Sequence, residues 1–456
     1  MPARRRGRIR EPPAEPEPES VIVFEGRGYW RGRITELEFG VDPEGMITRV
    51  AKNVRGSPRR NLGDRVVLPS GIDLHAHFRD PGLPESGENL DSGTVSAALG
   101  GISAAVDMPN TIPPTTSVER VVDKISRIRT RAHVDILPYA AVTAGASLRR
   151  LGLVAAGFKL FLAPTTGEIK VPEPAEVPRL LAEIESTGLP VHVHAEDPAK
   201  FNPRETPTET DAWDRSRPEA AELSAIEQLR EHPPGLRLHI AHVTTVASAQ
   251  RARDIGAGTE ATPHHLLLSS SLFGTAFQKV NPPLRTESTR AALFQRFKEG
   301  GIPMLASDHA PHPISRKEAP FAEAPSGVPG IETMVPLMLE LVRRTELPLP
   351  VLVRAVARNP AYHLGLPRGR IEKGCEADFF TVDFRMSRIL KARTLATRCG
   401  WTPFEGRSAI FPVDHYLRGN RIVEGGEFVG GPRGKAIRAN PLVPTTRKDP
   451  PTPAST

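Results

Sequence analysis

Between about residue 70 and residue 365, short apolar runs alternate with amphipathic stretches. This alternation constrains the fold more than any other feature of the chain. The runs fall at 71–77, 104–108, 135–141, 157–162, 190–194, 237–242, 259–262 and 303–307. Helical periodicity separates several of them, at 117–131, 176–186, 218–231 and 287–299. Eight strands, each followed by a helix or a long loop, predict a (β/α)8 TIM-like barrel over 68–365. A doubly wound open sheet is the alternative. It requires a glycine-rich phosphate turn after its first strand, and the sequence has none there.

The flanks read differently. Short β-like runs at 21–24, 34–39 and 46–50 are split by glycine and Asp-Pro turns, and similar runs return at 378–382, 415–417 and 421–423. Residues 20–67 and 366–430 are therefore expected to form one small β-sandwich domain built from both chain ends. The net charge of +7 invites a nucleic-acid reading, but its location argues against one. Residues 1–20 carry five Arg against four Glu, and residues 433–456 carry five basic residues against Asp449, so the ends supply +5 of the +7. Both ends, 1–19 and 431–456, are Pro-rich and polar and are expected to be disordered. No apolar run reaches the roughly 18 residues a membrane span needs. The N-terminal stretch is Arg- and Pro-rich without an apolar centre, unlike a secretory signal. Only two cysteines occur, Cys375 and Cys399, which fits a reducing, cytoplasmic setting better than a disulfide framework.

Catalytic groups of a barrel sit at the C-terminal ends of its strands. His75 and His77 close the first run, two residues apart, so both imidazoles leave the same side of a strand. A lone His-x-His is equally a buried polar pair. Here it has company at other strand ends: Lys159 in the fourth run, His194 ending the fifth, His242 ending the sixth and Asp308 after the eighth. Imidazoles with a carboxylate suit Zn2+. Lys159 is the odd member, because an ammonium inside a barrel is costly unless neutralised. A neutral amine there can take up CO2 as a carbamate, whose two oxygens can bridge two metals; a lysine reaching to the barrel mouth is the plainer reading. His192 shares a strand face with His194, so either can be the ligand. His239, His264, His265 and His309 read as structural neighbours.

Several separated segments carry a resemblance. They are His-x-His-Phe-Arg-Asp-Pro-Gly from His75, Asp-Met-Pro-Asn-Thr at 107–111, His-Ala-Glu-Asp at 194–197 and Thr-Pro-His-His at 262–265. Further ones are Val-Asn-Pro-Pro-Leu-Arg at 280–285, Ser-Asp-His-Ala-Pro-His at 307–312, Gly-Val-Pro-Gly-Ile-Glu-Thr at 327–333 and Gly-Trp-Thr-Pro-Phe-Glu-Gly at 400–406. With the Lys159 strand, they make residues 65–425 resemble the amidohydrolase superfamily, most closely dihydroorotases of the carbamylated-lysine, archaeal-like type. The resemblance implies two zinc ions. His75, His77 and Asp308 would hold the more buried one, His194 and His242 the other, and carbamylated Lys159 would bridge them. It implies substrate contacts from His77, Arg79, Asn110, Asn281, His312, Ser326 and Gly327, with Asp308 moving the proton. It implies reversible conversion of N-carbamoyl-L-aspartate to L-dihydroorotate, a small-molecule substrate, in pyrimidine synthesis. It leaves a homo-oligomer and association with other pyrimidine-pathway enzymes open, and no membrane partner is expected. The Pro- and Gly-rich stretch 311–330 is expected to be a lid. Two other readings stand beside this one: an allantoinase or hydantoinase, which should lack the Asp-His-Ala-Pro-His and Asn-Pro-Pro-Leu-Arg segments, and a non-catalytic scaffold, which would be free to lose ligands.

Overall fold

The computed structural model describes residues 21–82, 87–164, 169–205, 207–271 and 274–440. Eight parallel strands form the central sheet: Gly71–Ala76, Ile102–Asp107, Asp135–Ala141, Gly157–Phe161, Val191–His194, Leu238–Ile240, Gly258–Ala261 and Met304–Leu305. They neighbour one another in chain order. Each lies within a residue or two of an apolar run read from the sequence. Nearly every residue of these strands is buried, the usual condition of parallel strands covered on both faces. The helices between them are amphipathic where they meet solvent. In Val118–Arg131, the Ser117 side chain accepts from the Arg120 amide at the N-terminus, and Val121, Lys124 and Ile128 form the buried stripe. Buried Lys124 is neutralised by Asp107, 2.6 Å away at the end of the second strand.

The seam between the eighth strand and the first is closed by few bonds. The His77 amide donates to the His309 carbonyl oxygen at 2.7 Å, and Ala76 and His309 form a parallel bridge. Below it, buried Asp73 accepts from the Ser307 amide at 3.0 Å, from the Ser307 hydroxyl and from the His75 amide at 3.1 Å. Burial pushes the Asp73 carboxyl up to about 7, with the Ser307 and His75 donors pulling the other way. One carboxylate thus ties the strand that ends in His75 and His77 to the segment that carries Asp308.

The two flanks build one eight-stranded sheet, in the order Glu427–Phe428, Asn420–Glu424, Asp414–Leu417, Phe379–Val382, Arg59–Pro69, Ile22–Trp30, Arg33–Val41 and Ile47–Ala51. All six flanking runs read from the sequence contribute to it. N- and C-terminal segments meet where Phe379–Val382 pairs antiparallel with Arg59–Pro69, from Phe379 opposite Pro69 to Val382 opposite Val66. Phe24, Phe39, Phe379 and Tyr416 pack there with ring centroids 4.5–5.3 Å apart. Arg59–Pro69 then runs through Ser70 directly into the first barrel strand.

The C-terminal stretch expected to be disordered from 431 holds to the body as far as residue 440. Ile136 donates its amide to the Lys435 carbonyl oxygen at 2.9 Å, Ile437 donates to Ile136 at 3.0 Å, and Ala439 is buried. Backbone pairing and small side chains make this contact, so hydropathy does not reveal it. The expected tails 1–19 and 441–456 lie outside the described residues. No helix among the described residues is long and apolar enough to cross a membrane.

Candidate active site

One cavity opens at the C-terminal mouth of the barrel. It is lined by His75, His77, Arg79, Asn110, Lys159, Phe161, His194, His242, Asn281, Asp308, Ala310, Ser326 and Gly327. The six ligand candidates His75, His77, Lys159, His194, His242 and Asp308 are all there, with Arg79, Asn110, Asn281, Ser326 and Gly327 beside them. Ligand atoms of His75, His77 and Asp308 lie within 4.8 Å of one another. Asp308 Oδ1 is 3.4 Å from His75 Nε2 and 3.3 Å from His77 Nε2. Lys159 Nζ is 3.3 Å from the same His75 nitrogen, and His194 Nδ1 faces His242 Nε2 at 3.1 Å. Of the two histidines on the fifth strand, His194 reaches this centre, while His192 turns to His363 at 3.0 Å.

The backbone aims these groups at some cost. Arg79, His242 and Asp308 adopt φ of 56°, 39° and 44°, a left-handed conformation that side-chain-bearing residues rarely take. Such strain concentrates at functional sites, where the surrounding structure holds it. Gly327 answers a different need: at φ 131° a Cβ would sit 2.7 Å from the Ala310 carbonyl oxygen and 3.1 Å from His312 Nε2.

Burial sets the protonation states. It holds His75, His77, His194 and His242 below the usual imidazole value, so all four are neutral and able to ligate. Burial also lowers Lys159, against the pull of Glu260 and Asp308, and raises Asp308, against the pull of Lys159. Arg79 falls to about 10 for the same reason and stays charged at neutral pH.

The donor set fits a divalent metal centre, and the groups behind it strengthen the fit. Glu260, on the seventh strand, lies 2.9 Å from His75 Nδ1, and Glu196 lies 2.7 Å from His194 Nε2. A carboxylate on the far nitrogen fixes the tautomer that leaves the near nitrogen free for a cation. The sequence reading passes over Glu260, although it lies in the seventh run, two residues before Thr262. It also passes over the clamp behind Glu196, where Arg217 Nε donates to Oε1 at 3.0 Å and Nη2 to Oε2 at 2.6 Å. Burial alone would raise the Glu196 carboxyl; Arg217 and His194 bring it down to about 2. Its stabilising contribution is therefore complete above the unfolded-state value near 4.5 and is lost as pH falls toward 2. Glu196→Ala leaves the Arg217 charge buried and unpaired, and we expect it to cost about 3–5 kcal/mol. A thermal melt unchanged from wild type would refute that.

His312 stands beside Ser326 and Gly327: Nε2 lies 3.1 Å from the Ser326 carbonyl oxygen, and Trp401 donates to the His312 carbonyl oxygen at 2.8 Å. The stretch expected to be a lid is strapped down by two buried lysines. Lys279 Nζ donates to the carbonyl oxygens of Phe321, Ala322 and Ala324, and Lys317 Nζ to those of Pro325 and Gly327.

A barrel whose mouth gathers neutral imidazoles, a carboxylate and a buried lysine is built for metal-assisted hydrolysis. Residues 66–413 match the model of the amidohydrolase family, and the chain belongs to that family. Its relatives narrow the group. The chain is 37% identical to the dihydroorotase of Methanosarcina acetivorans over 431 residues, covering 88% of this chain and 91% of that protein. It is 40% identical to the dihydroorotase of Halobacterium salinarum over 372 residues, covering 79% and 87%. Among solved structures, the L-hydantoinase from Arthrobacter aurescens superposes with a TM-score of 0.83 at 24% identity, covering 91% of this chain and 99% of that one. The dihydropyrimidinase from Brevibacillus agri superposes at 0.80 and 21% identity, covering 93% and 99%. At that identity the likeness speaks for the fold alone.

Proposed function

We propose that this chain is a dihydroorotase, a zinc-dependent cyclic amide hydrolase that interconverts L-dihydroorotate and N-carbamoyl-L-aspartate in pyrimidine synthesis. The observation that carries the reading is the Arg79 guanidinium in the same cavity as the ligand set, within a chain related to dihydroorotases over most of its length. A charged, rigid fork suits the carboxylate beside the scissile ring bond. His75, His77 and Asp308 would hold one zinc ion, His194 and His242 a second, with Lys159 as its carbamate between them. Once bound, the pair supplies Lewis acidity and a water of lowered pKa.

The chain's own residues do the rest. Lys159 is fully buried, and its lowered pKa favours the free amine that can add to CO2. Asp308 would take a proton from the attacking water and return it to the leaving ring nitrogen. Arg79 Nη1 donates to the Asn110 carbonyl oxygen at 3.4 Å, which orients its fork toward the ring site. Asn281 is held by Trp213 Nε1, which donates to Oδ1 at 3.2 Å. Ser326 and Gly327 offer backbone groups to the substrate, and His312 acts by fixing the Ser326 carbonyl. Cys375 and Cys399 are free and buried, in keeping with a cytoplasmic enzyme.

The test is turnover of dihydroorotate, hydantoin and allantoin by protein supplied with zinc and bicarbonate. Dihydroorotate should be preferred; turnover of hydantoin or allantoin alone would sink the assignment. Arg79→Met should retain zinc and lose on the order of 10²-fold in kcat/KM for dihydroorotate, the expected cost of a charge-assisted pair worth roughly 3 kcal/mol. Activity on an uncharged cyclic amide should fall much less. Equal losses on both substrates would show that Arg79 holds the site together without reading the carboxylate.

A further inference from the structure

A second histidine cluster lies deeper in the barrel. His192 on the fifth strand and His239 on the sixth are register partners, and His363 reaches them from the helix Asn359–Leu364. One ligand atom from each of the three lies within 4.8 Å of the others. The ring centroids are 4.4, 4.8 and 5.1 Å apart. His192 Nε2 is 3.0 Å from His363 Nε2 and 3.3 Å from the Tyr139 hydroxyl.

We propose that His192, His239 and His363 form a further divalent-metal site, distinct from the catalytic centre, that takes Zn2+ at the base of the barrel. Three imidazoles and an oxygen ligand are a common tetrahedral zinc set. The ligand atoms of His75, His77 and Asp308 meet the same 4.8 Å spacing. Simple polar packing leaves the cluster poorly explained. His239 Nδ1 is buried and has no hydrogen-bond partner among the described residues, and buried polar atoms without partners are rare in folded proteins.

Glu260 supplies the supporting carboxylate. It is 2.9 Å from His239 Nε2 and 2.9 Å from His75 Nδ1. That arrangement leaves His239 Nδ1 for the ion and links the two clusters through one side chain. The opposing charges are Lys159, above, and Arg237, which donates to the His363 carbonyl oxygen. The partial exposure of His363 gives an ion a way in from the base.

The test is an anomalous-scattering map at the zinc edge from crystals of the full chain equilibrated with micromolar zinc chloride, alongside zinc-to-protein ratios in solution. A peak about 2.1 Å from three ring nitrogens of this cluster is expected. His363→Leu should bind one zinc fewer per chain, as should the gentler His363→Gln. Peaks confined to the mouth of the barrel, with unchanged ratios in both variants, would overturn the proposal and leave the catalytic reading intact. A peak at the three histidines without one at the mouth would support it while refuting the catalytic metal centre. No peak anywhere would overturn both. The wild-type map does not depend on either variant folding.

Discussion

Lys159→Ala should lose turnover of dihydroorotate by roughly 10³-fold or more, the scale on which deleting a preorganised electrostatic group acts. The expectation rests on position: Lys159 is fully buried, with Nζ 3.3 Å from His75 Nε2 and in the field of Asp308 and Glu260. An ordinary ammonium in that place would repel a cation. The carbamate would attract two, and Ala cannot form it. Short carboxylic acids such as acetate or propionate, diffusing into the space left by the side chain, should restore part of the activity by supplying the missing pair of oxygens. Zinc content should fall with activity and recover with it. Near wild-type turnover by Lys159→Ala with zinc still bound would end the bridging-carbamate reading.

Asp308→Asn should lower kcat by about 10²–10⁴-fold, the range typical of a positioned acid–base group. The amide keeps the size of the side chain and an oxygen near His75 and His77, which lie 3.4 and 3.3 Å from Oδ1. It cannot shuttle a proton. KM should change little, because Arg79, Asn110 and Asn281 remain. Asp308→Ala removes the oxygen as well, so it should lose zinc in addition to activity. The contrast separates proton transfer from ligation. An Asn variant that keeps its kcat would show that another group carries the proton.

Much of the architecture was legible because it rests on local pattern. Parallel barrel strands are buried on both faces, so they stand out as apolar runs, and all eight appear within a residue or two of where the sequence puts them. Ligands at strand ends could be read for the same reason. His75, His77, Lys159, His194, His242 and Asp308 belong to those runs or directly follow them, and all six line one cavity. The choice between His192 and His194 was not legible. Both face the barrel interior, and only the layer each occupies separates them.

What the sequence determined by itself is the class of fold and the chemical type of the site, since burial periodicity and strand-end polar residues are properties of neighbours in the chain. The tertiary structure decided the pairings between distant residues. Glu260 meets His75 and His239 across the barrel. Arg217 clamps Glu196, Asp73 sews the eighth strand to the first, and His363 joins the lower cluster from a helix beyond the barrel strands. Each pair is separated by 21 to 234 positions. Their energy comes from desolvation in a shared interior, which no local window of sequence contains.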